Sequence, residues 1–233
     1  MHILLTDTLT CPRCGPEFGL IVLAEGMEER RVVAGHLGCP NCRSKYPVRG
    51  RVADLRLGAS ASSETDPSAE SAPSAESAAA DDGDGGAAVR LAALMGLAGA
   101  SGMAVIAGPG ARHAAAVHAL VPELEVIAVS ASAPPADFAA PGPGVNRVLA
   151  SGAGLPLRGG MRAAALTGGA EDARLREGLR VLAPGARLVV DPAPADVAER
   201  LRGLGAEVLL NEDGVVVARA PGRPVELRYN AVR

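Results

Sequence analysis

From Val89 to Ala218, short apolar runs alternate with stretches whose apolar residues recur every three or four positions. The pattern predicts a helix over Val89–Leu97, a buried strand over Met103–Ala107 closed by Gly108-Pro109-Gly110, and a helix over Ala111–Leu120. Strands follow at Glu125–Val129, Arg147–Ala150 and Ala163–Leu166, then a helix over Glu171–Leu182 that Pro184-Gly185 stops. A strand over Arg187–Val190, a helix over Pro194–Leu204, and strands over Glu207–Leu210 and Gly214–Ala218 complete the series. Apolar strands alternating with helices imply a mostly parallel sheet covered on both faces. The last two strands are expected to form an antiparallel hairpin, because Asn211-Glu212-Asp213 is too short for a parallel crossover.

The N-terminal pattern differs. Phe18–Leu23 and Glu29–Ala34 read as two strands, with a turn expected at Glu25-Gly26-Met27. Between Leu57 and Val89 the apolar pattern stops, with no Val, Ile, Leu, Met or aromatic residue. Such a stretch buries too little apolar surface to offset its ordering entropy. Residues 58–86 are therefore expected to be a disordered acidic Ala/Ser linker, with a helix around 68–80 as the weaker alternative, since Ala and Glu favour helices. The expected organisation is an N-terminal module (1–57), the linker (58–86), an α/β domain (87–220) and a C-terminal tail (221–233).

Composition narrows this picture. Of 233 residues, 48% are hydrophobic and only 2% aromatic, so the core must be built from Val, Leu and Ala. The net charge of −3 conceals a regional split: residues 1–57 carry 8 basic and 6 acidic groups, residues 58–88 carry 7 acidic and no basic groups, and residues 89–233 carry 15 basic and 13 acidic groups. No part is basic enough to imply generic nucleic-acid binding. Arg43, Lys45, Arg49, Arg51 and Arg56 offer only a thin case for an RNA- or ribosome-associated module. The opening Met-His-Ile-Leu-Leu-Thr-Asp has no basic region followed by a long apolar run, which argues against a secretory leader. No apolar run is long enough to predict a membrane span.

The four cysteines are Cys11, Cys14, Cys39 and Cys42, spaced Cys-x2-Cys-x24-Cys-x2-Cys. Two such turns present four thiolates to one cation, and with all positions filled by protein the expected metal is a structural Zn²⁺. Iron in the same ligand set and disulfides are the alternatives, and His36 is a possible substitute ligand that reads more simply as a solvated loop residue. Close pairs without a secretory leader favour a metal and a reducing cytoplasm. Fifty-seven residues are few for an unaided core, so chelation is expected to unfold this module first.

Leu9-Thr10-Cys-Pro-x-Cys, Leu37-Gly38-Cys-Pro-x-Cys, Tyr46-Pro47-Val48 and Val52-x-Asp54-Leu55 resemble the small Trm-type zinc-ribbon family. Its eukaryotic members are activator subunits of tRNA, rRNA and protein methyltransferases, and the likeness covers about residues 3–57. The resemblance implies a ribbon that binds and stabilises a methyltransferase or another protein, partly by adding a strand to its sheet edge.

Residues 87–220 resemble a class I S-adenosylmethionine-dependent methyltransferase, which implies a Rossmann-like fold. Met103–Arg112 stands where that family has its first strand and glycine loop, Ala150–Leu157 resembles Gly-Asp-Ala-Glu-x-Leu-Pro-Phe, and Arg176–Val190 resembles the late helix, turn and strand. The resemblance places Gly108, Gly110 and Ser130 at cofactor-contacting positions. The family's acids are missing: Ile106 stands before the glycine loop, Ser130 at the ribose position, Gly152 at the adenine position and Arg162 near the acid of the later strand, while Arg112 falls near the third loop glycine. Loss of the ribose acid alone removes a charge-assisted contact of order ~2–3 kcal/mol, or roughly 30- to 150-fold in affinity.

No substitute constellation is evident. His113 and His118 are five apart and share no helical face, Asp191 reads as a turn starter, and Glu171-Asp172 reads as a helix start. Arg112, Arg158 and Arg162 read as scattered surface residues rather than a basic rim. The expectation is a zinc-binding protein with a degenerate, non-catalytic methyltransferase-like domain that acts in binding or regulation and takes S-adenosylmethionine poorly. The alternative is an active, divergent methyltransferase stabilised by its own ribbon.

Overall fold

A computed structural model describes residues 1–58, 84–132 and 142–222. Most of the expected linker, the alternative helix at 68–80 and most of the tail lie outside the described residues.

The N-terminal segment begins with a 3-10 turn, Ile3–Asp7, and a small two-stranded sheet, β1 (Thr10–Cys11) and β2 (Gly15–Gly19). Four antiparallel strands follow: β3 (Ile21–Glu28), β4 (Arg31–Gly38), β5 (Lys45–Arg49) and β6 (Val52–Asp54). The first hairpin turns at Glu29-Arg30, not at Glu25-Gly26-Met27. Both turn residues have positive φ, 45° and 64°. Gly26 instead sits at register shifts inside β3, so the glycine that suggested a turn marks a bulge.

The second part contains α1 (Asp84–Met95), β7 (Gly102–Ala107), a 3-10 turn at Pro109–His113, α2 (Ala114–Leu120), β8 (Leu124–Ser130), β9 (Val145–Leu149) and β10 (Met161–Thr167). It continues with α3 (Asp172–Arg180), β11 (Leu182–Asp191), α4 (Val197–Gly203), β12 (Glu207–Glu212) and β13 (Val215–Arg219). Three expectations change. α1 starts five residues before Val89, inside the expected linker. The predicted helix at Ala111 is 3-10 as far as His113. The helix predicted to Leu182 ends at Arg180, because Leu182 already pairs with Met161 and β11 runs through Pro184-Gly185. The C-terminal hairpin is antiparallel as expected, but it turns at Asp213-Gly214, with Asn211 and Glu212 paired in β12.

All strands from β3 onward form one sheet, ordered β12-β13-β11-β10-β7-β8-β9-β6-β5-β4-β3. The pairings from β11 through β10, β7, β8 and β9 to β6 are parallel, and both flanks are antiparallel. Val52, Ala53 and Asp54 pair with Arg147, Val148 and Leu149, so the N-terminal strands extend the edge of the α/β sheet in the same chain. The Leu55 N–H continues this contact by donating to Leu149 O at 2.8 Å.

Alternation along the parallel strands sends Ala104, Ile106, Val126 and Ala128 towards α1 and α2. Val105, Ala107, Ile127, Val129 and Val148 face the other way, into a cluster with residues of α3 and α4. Met1, Leu5 and Leu9 are fully buried in that same cluster. The β9–β10 connection, 150–160, contains no helix, and the N-terminal segment docks on it instead. Leu9 bridges Leu157, the Thr10 N–H donates to Pro156 O at 2.9 Å, and the Arg158 N–H donates to Thr8 O at 2.8 Å. Buried Asn146 adds a polar tie: its Oδ1 accepts from the His2 N–H and its Nδ2 donates to Glu125, both at 2.7 Å. No helix among the described residues is long and apolar enough to cross a membrane.

Because Leu9 belongs to a core shared by both segments, Leu9→Ala is expected to cost about 2–5 kcal/mol. Calorimetry should show one cooperative transition moving to lower temperature. Two separable transitions, with only the first affected, would contradict the shared core.

Candidate functional site

The four cysteine sulfurs lie within 4.8 Å of one another. Cys11 ends β1 and Cys39 follows β4. Their sulfurs meet Cys42 and Cys14 at 3.7 and 3.9 Å, matching the edge of about 3.8 Å in a tetrahedron with Zn–S bonds near 2.3 Å. The second knuckle is closed by the Cys39 N–H donating to Ser44 O at 2.9 Å and the Arg43 N–H donating to Cys39 O at 3.0 Å, with Arg43 at φ 61°. This donor set suits a thiolate-preferring cation and leaves no position for substrate or water.

Neighbouring groups complete the cluster. Asn41 Nδ2 donates to Cys14 Sγ at 3.4 Å, Ser44 Oγ lies 3.2 Å from Cys42 Sγ, and the buried Tyr46 hydroxyl lies 3.4 Å from Cys11 Sγ. Ser44, through its hydroxyl and its backbone, pulls the Cys42 thiol down to about 6. Burial and the Cys11 sulfur push Tyr46 up, which keeps its hydroxyl protonated as a donor to a thiolate. This gives Tyr46-Pro47-Val48 a physical role that spacing did not reveal. His36 is excluded from the cluster: it lies on β4, not in a loop, and its Nδ1 meets Glu25 Oε1 at 3.0 Å. Of the five basic residues after the second knuckle, Arg51 pairs with Glu28 and Arg56 with Asp54.

The second feature is a cleft of about 670 Å³ at the carboxyl ends of β7, β8, β9 and β10, where open α/β sheets bind ligands. Gly108 and Ser130 line it. Gly110 does not, and faces a separate cavity of about 240 Å³ with Arg90, Arg112, His113 and Asp191. The loop glycines are required by β10. A Cβ on Gly108, at φ 99°, would lie 1.8 Å from Thr167 O, and one on Gly110 would lie 2.6 Å from Thr167 Cγ2. Thr167 Oγ1 accepts from the Gly110 N–H at 2.7 Å and donates to Ala107 O at 2.9 Å. One N–H of the glycine loop is thus committed to Thr167 rather than offered to a ligand.

Ile106 is fully buried against the α1–α2 face, and the Ser130 hydroxyl donates to Ser132 O at 2.9 Å. At the segment that the resemblance aligns with adenine contacts, the Gly152 and Ala153 carbonyls accept from Arg174 Nη1, both at 3.3 Å. The three arginines considered as a rim lie apart. Arg112 lines the smaller cavity, Arg158 abuts Gly19, and Arg162 abuts Gly102 at the opposite end of the sheet. His113 is buried, and His118 Nδ1 bonds Leu124 O at 2.9 Å. Asp191 pairs with Arg90 at 3.1 Å, and Asp172 pairs with Arg200.

Sequence reading missed Glu177 and Arg180, although their spacing of three on α3 marks a one-face pair. Glu177 accepts from the Leu155 N–H at 3.0 Å, and Arg180 donates to the Leu155 and Leu157 carbonyls, both at 2.9 Å. Together they hold the Leu155-Pro156-Leu157 segment on which Leu9 and Thr10 dock.

No family model matches the chain, and no curated protein matches it. Among solved structures, the [4+2]-cyclase SpnF is similar over 60% of this chain and 81% of its own, with 17% identity and a TM-score of 0.50. The antibiotic-resistance methyltransferase Kmr matches at 21% identity over 58% of this chain and 93% of its own, TM-score 0.42. The 1,6-didemethyltoxoflavin-N1-methyltransferase of Burkholderia thailandensis matches at 17% identity over 60% and 79%, TM-score 0.44. Counted from Gly102, the strands run third, second, first, fourth, fifth, seventh, sixth. The fold is Rossmann-like, of the methyltransferase kind. At these identities the likeness extends to fold alone.

Burial opposes ionisation of Glu177, but the Arg180 guanidinium and the Leu155 N–H outweigh it, and its pKa is lowered. A lowered carboxylate contributes stability above its ordinary value near ~4.3 and loses it as pH falls through the folded value. Glu177→Gln should therefore destabilise the protein at pH 7, and the difference from wild type should vanish in acid. Denaturant titrations across pH 3 to 7 check this; a gap that widens in acid would contradict it.

Proposed function

We propose that this protein is a methyltransferase-fold binding or regulatory protein that does not use S-adenosylmethionine, built around a structural zinc ribbon that serves its own chain. The observation that carries the reading is the cleft's lining. Among the described residues, its ribose and adenine positions hold Ser130 and Gly152, and the neighbouring Gly110 N–H is spent on Thr167. Neither of these two positions offers a carboxylate to the ribose hydroxyls; the one acid lining the cleft, Glu171, stands at the start of α3.

The ribbon's partner, in this reading, is the sheet to which it adds β6. Cys11, Cys14, Cys39 and Cys42 would hold Zn²⁺, fixing the ends of β1 and β4 so that Thr10 and Leu9 reach the 155–157 segment. Because core and sheet are continuous, metal loss is expected to destabilise the whole chain, not residues 1–57 alone. Metal analysis should give about one zinc per chain, and chelator should lower the single unfolding transition; a chain that keeps its melting temperature without metal overturns the ribbon reading.

The open cleft favours a second reading, a divergent S-adenosylmethionine-dependent methyltransferase. Isothermal titration with S-adenosylmethionine and S-adenosylhomocysteine separates the two. No heat is expected, and a micromolar constant for either compound promotes the enzyme.

A further inference from the structure

We propose that the cleft binds a small anionic ligand through Arg174. This deepens the reading above, because it assigns a ligand class to a cleft read as having lost its cationic cofactor. Arg174 stands on the first turn of α3 and lines the cleft beside Gly169 and Glu171. Its Nη1 is tied to the Gly152 and Ala153 carbonyls, which fixes the guanidinium plane across the cleft wall.

The other edge of that guanidinium, Nε and Nη2, has no acceptor among the described residues. Neither atom is sealed off: no Arg174 nitrogen is among the described side-chain atoms buried without a partner. That edge is the fork that grips a carboxylate or phosphate with two parallel hydrogen bonds. Other arginines with side-chain carboxylates at hand already use them: Arg180 holds Glu177, Arg200 holds Asp172, and Arg90 holds Asp191. Arg174 makes no such pair with Glu171, although both line the cleft.

Electrostatics point the same way. Burial pulls the Arg174 pKa down, and Glu171 and Glu177 offset this in part through space. An anion would receive the fork, with the Gly108 loop on the facing wall and Glu171 beside Arg174 on the α3 side. The shared chemistry is a carboxylate or a phosphate group on a ligand small enough for about 670 Å³.

The test titrates the full-length, metal-loaded protein with inorganic phosphate, pyrophosphate and malonate, followed by calorimetry and backbone amide shifts. Saturable binding is expected for at least one probe, with shifts centred on Gly108, Ser130, Gly152 and Arg174. Phosphate probes exceeding malonate would name a phosphate ligand, and the reverse a carboxylate. Arg174→Gln should weaken binding about tenfold to a hundredfold, Arg174→Lys should recover only part of it, and Arg112→Gln in the neighbouring cavity should leave it unchanged. Should Arg174→Gln fail to fold, the amide shifts of the wild-type protein decide alone. Absence of saturation, or shifts confined to the Arg112 cavity, overturns the proposal while leaving the non-catalytic reading intact. Tight binding of S-adenosylmethionine would instead overturn that reading.

Discussion

The parallel pairing of β6 with β9 is the contact on which the rest of the structure depends. Without it the α/β sheet would end at β9, leaving a row of unpaired backbone groups on an apolar strand, a template for aggregation. The N-terminal strands remove that edge and bring with them Met1, Leu5 and Leu9, which cover sheet residues that the helix-free 150–160 connection leaves bare. Neither half is self-sufficient in this arrangement. The N-terminal segment has too few apolar residues for its own core, and the α/β part has too little cover for its own sheet.

This arrangement also links the cysteine cluster to the cleft through a continuous series of contacts. Cys11 is chained directly to Thr10, Thr10 bonds Pro156, and the flanking Leu155 and Leu157 are clamped by Glu177 and Arg180 on α3. Arg174, one turn earlier on that helix, holds Gly152 and Ala153 in the cleft wall. The segment that resembles a cofactor-reading stretch thus serves as a docking strap, with Leu155 and Leu157 buried and Gly152 where an acid would be expected. Thr167 completes the change on the other wall by engaging the glycine loop itself.

Much of the α/β core was legible from the sequence because buried strands write continuous apolar runs: Met103–Ala107, Glu125–Val129 and Arg187–Val190 all fall within observed strands. The cysteine spacing announced the four-thiol cluster for a similar reason, since four sulfurs at fixed separations admit few geometries. Errors fell where local signals were ambiguous. Gly26 looked like a turn but is a bulge, while the true turn at Glu29-Arg30 uses residues that seldom take positive φ. Pro184-Gly185 looked like a helix stop but lies inside β11, at the register shift between its Leu182 and Arg187 pairs.

What the sequence by itself determined was the alternation of elements, the thiolate set and the absence of acids at the resembled cofactor positions. Each of these is a property of neighbouring residues or of fixed spacing. Only the tertiary structure decided that β6 joins β9, that Gly108 and Gly110 answer to Thr167, and that Arg174 reaches Gly152. Those pairings join residues far apart in the chain, and their partners are chosen by sheet order and by which side chains the core leaves uncovered. No local pattern encodes that choice.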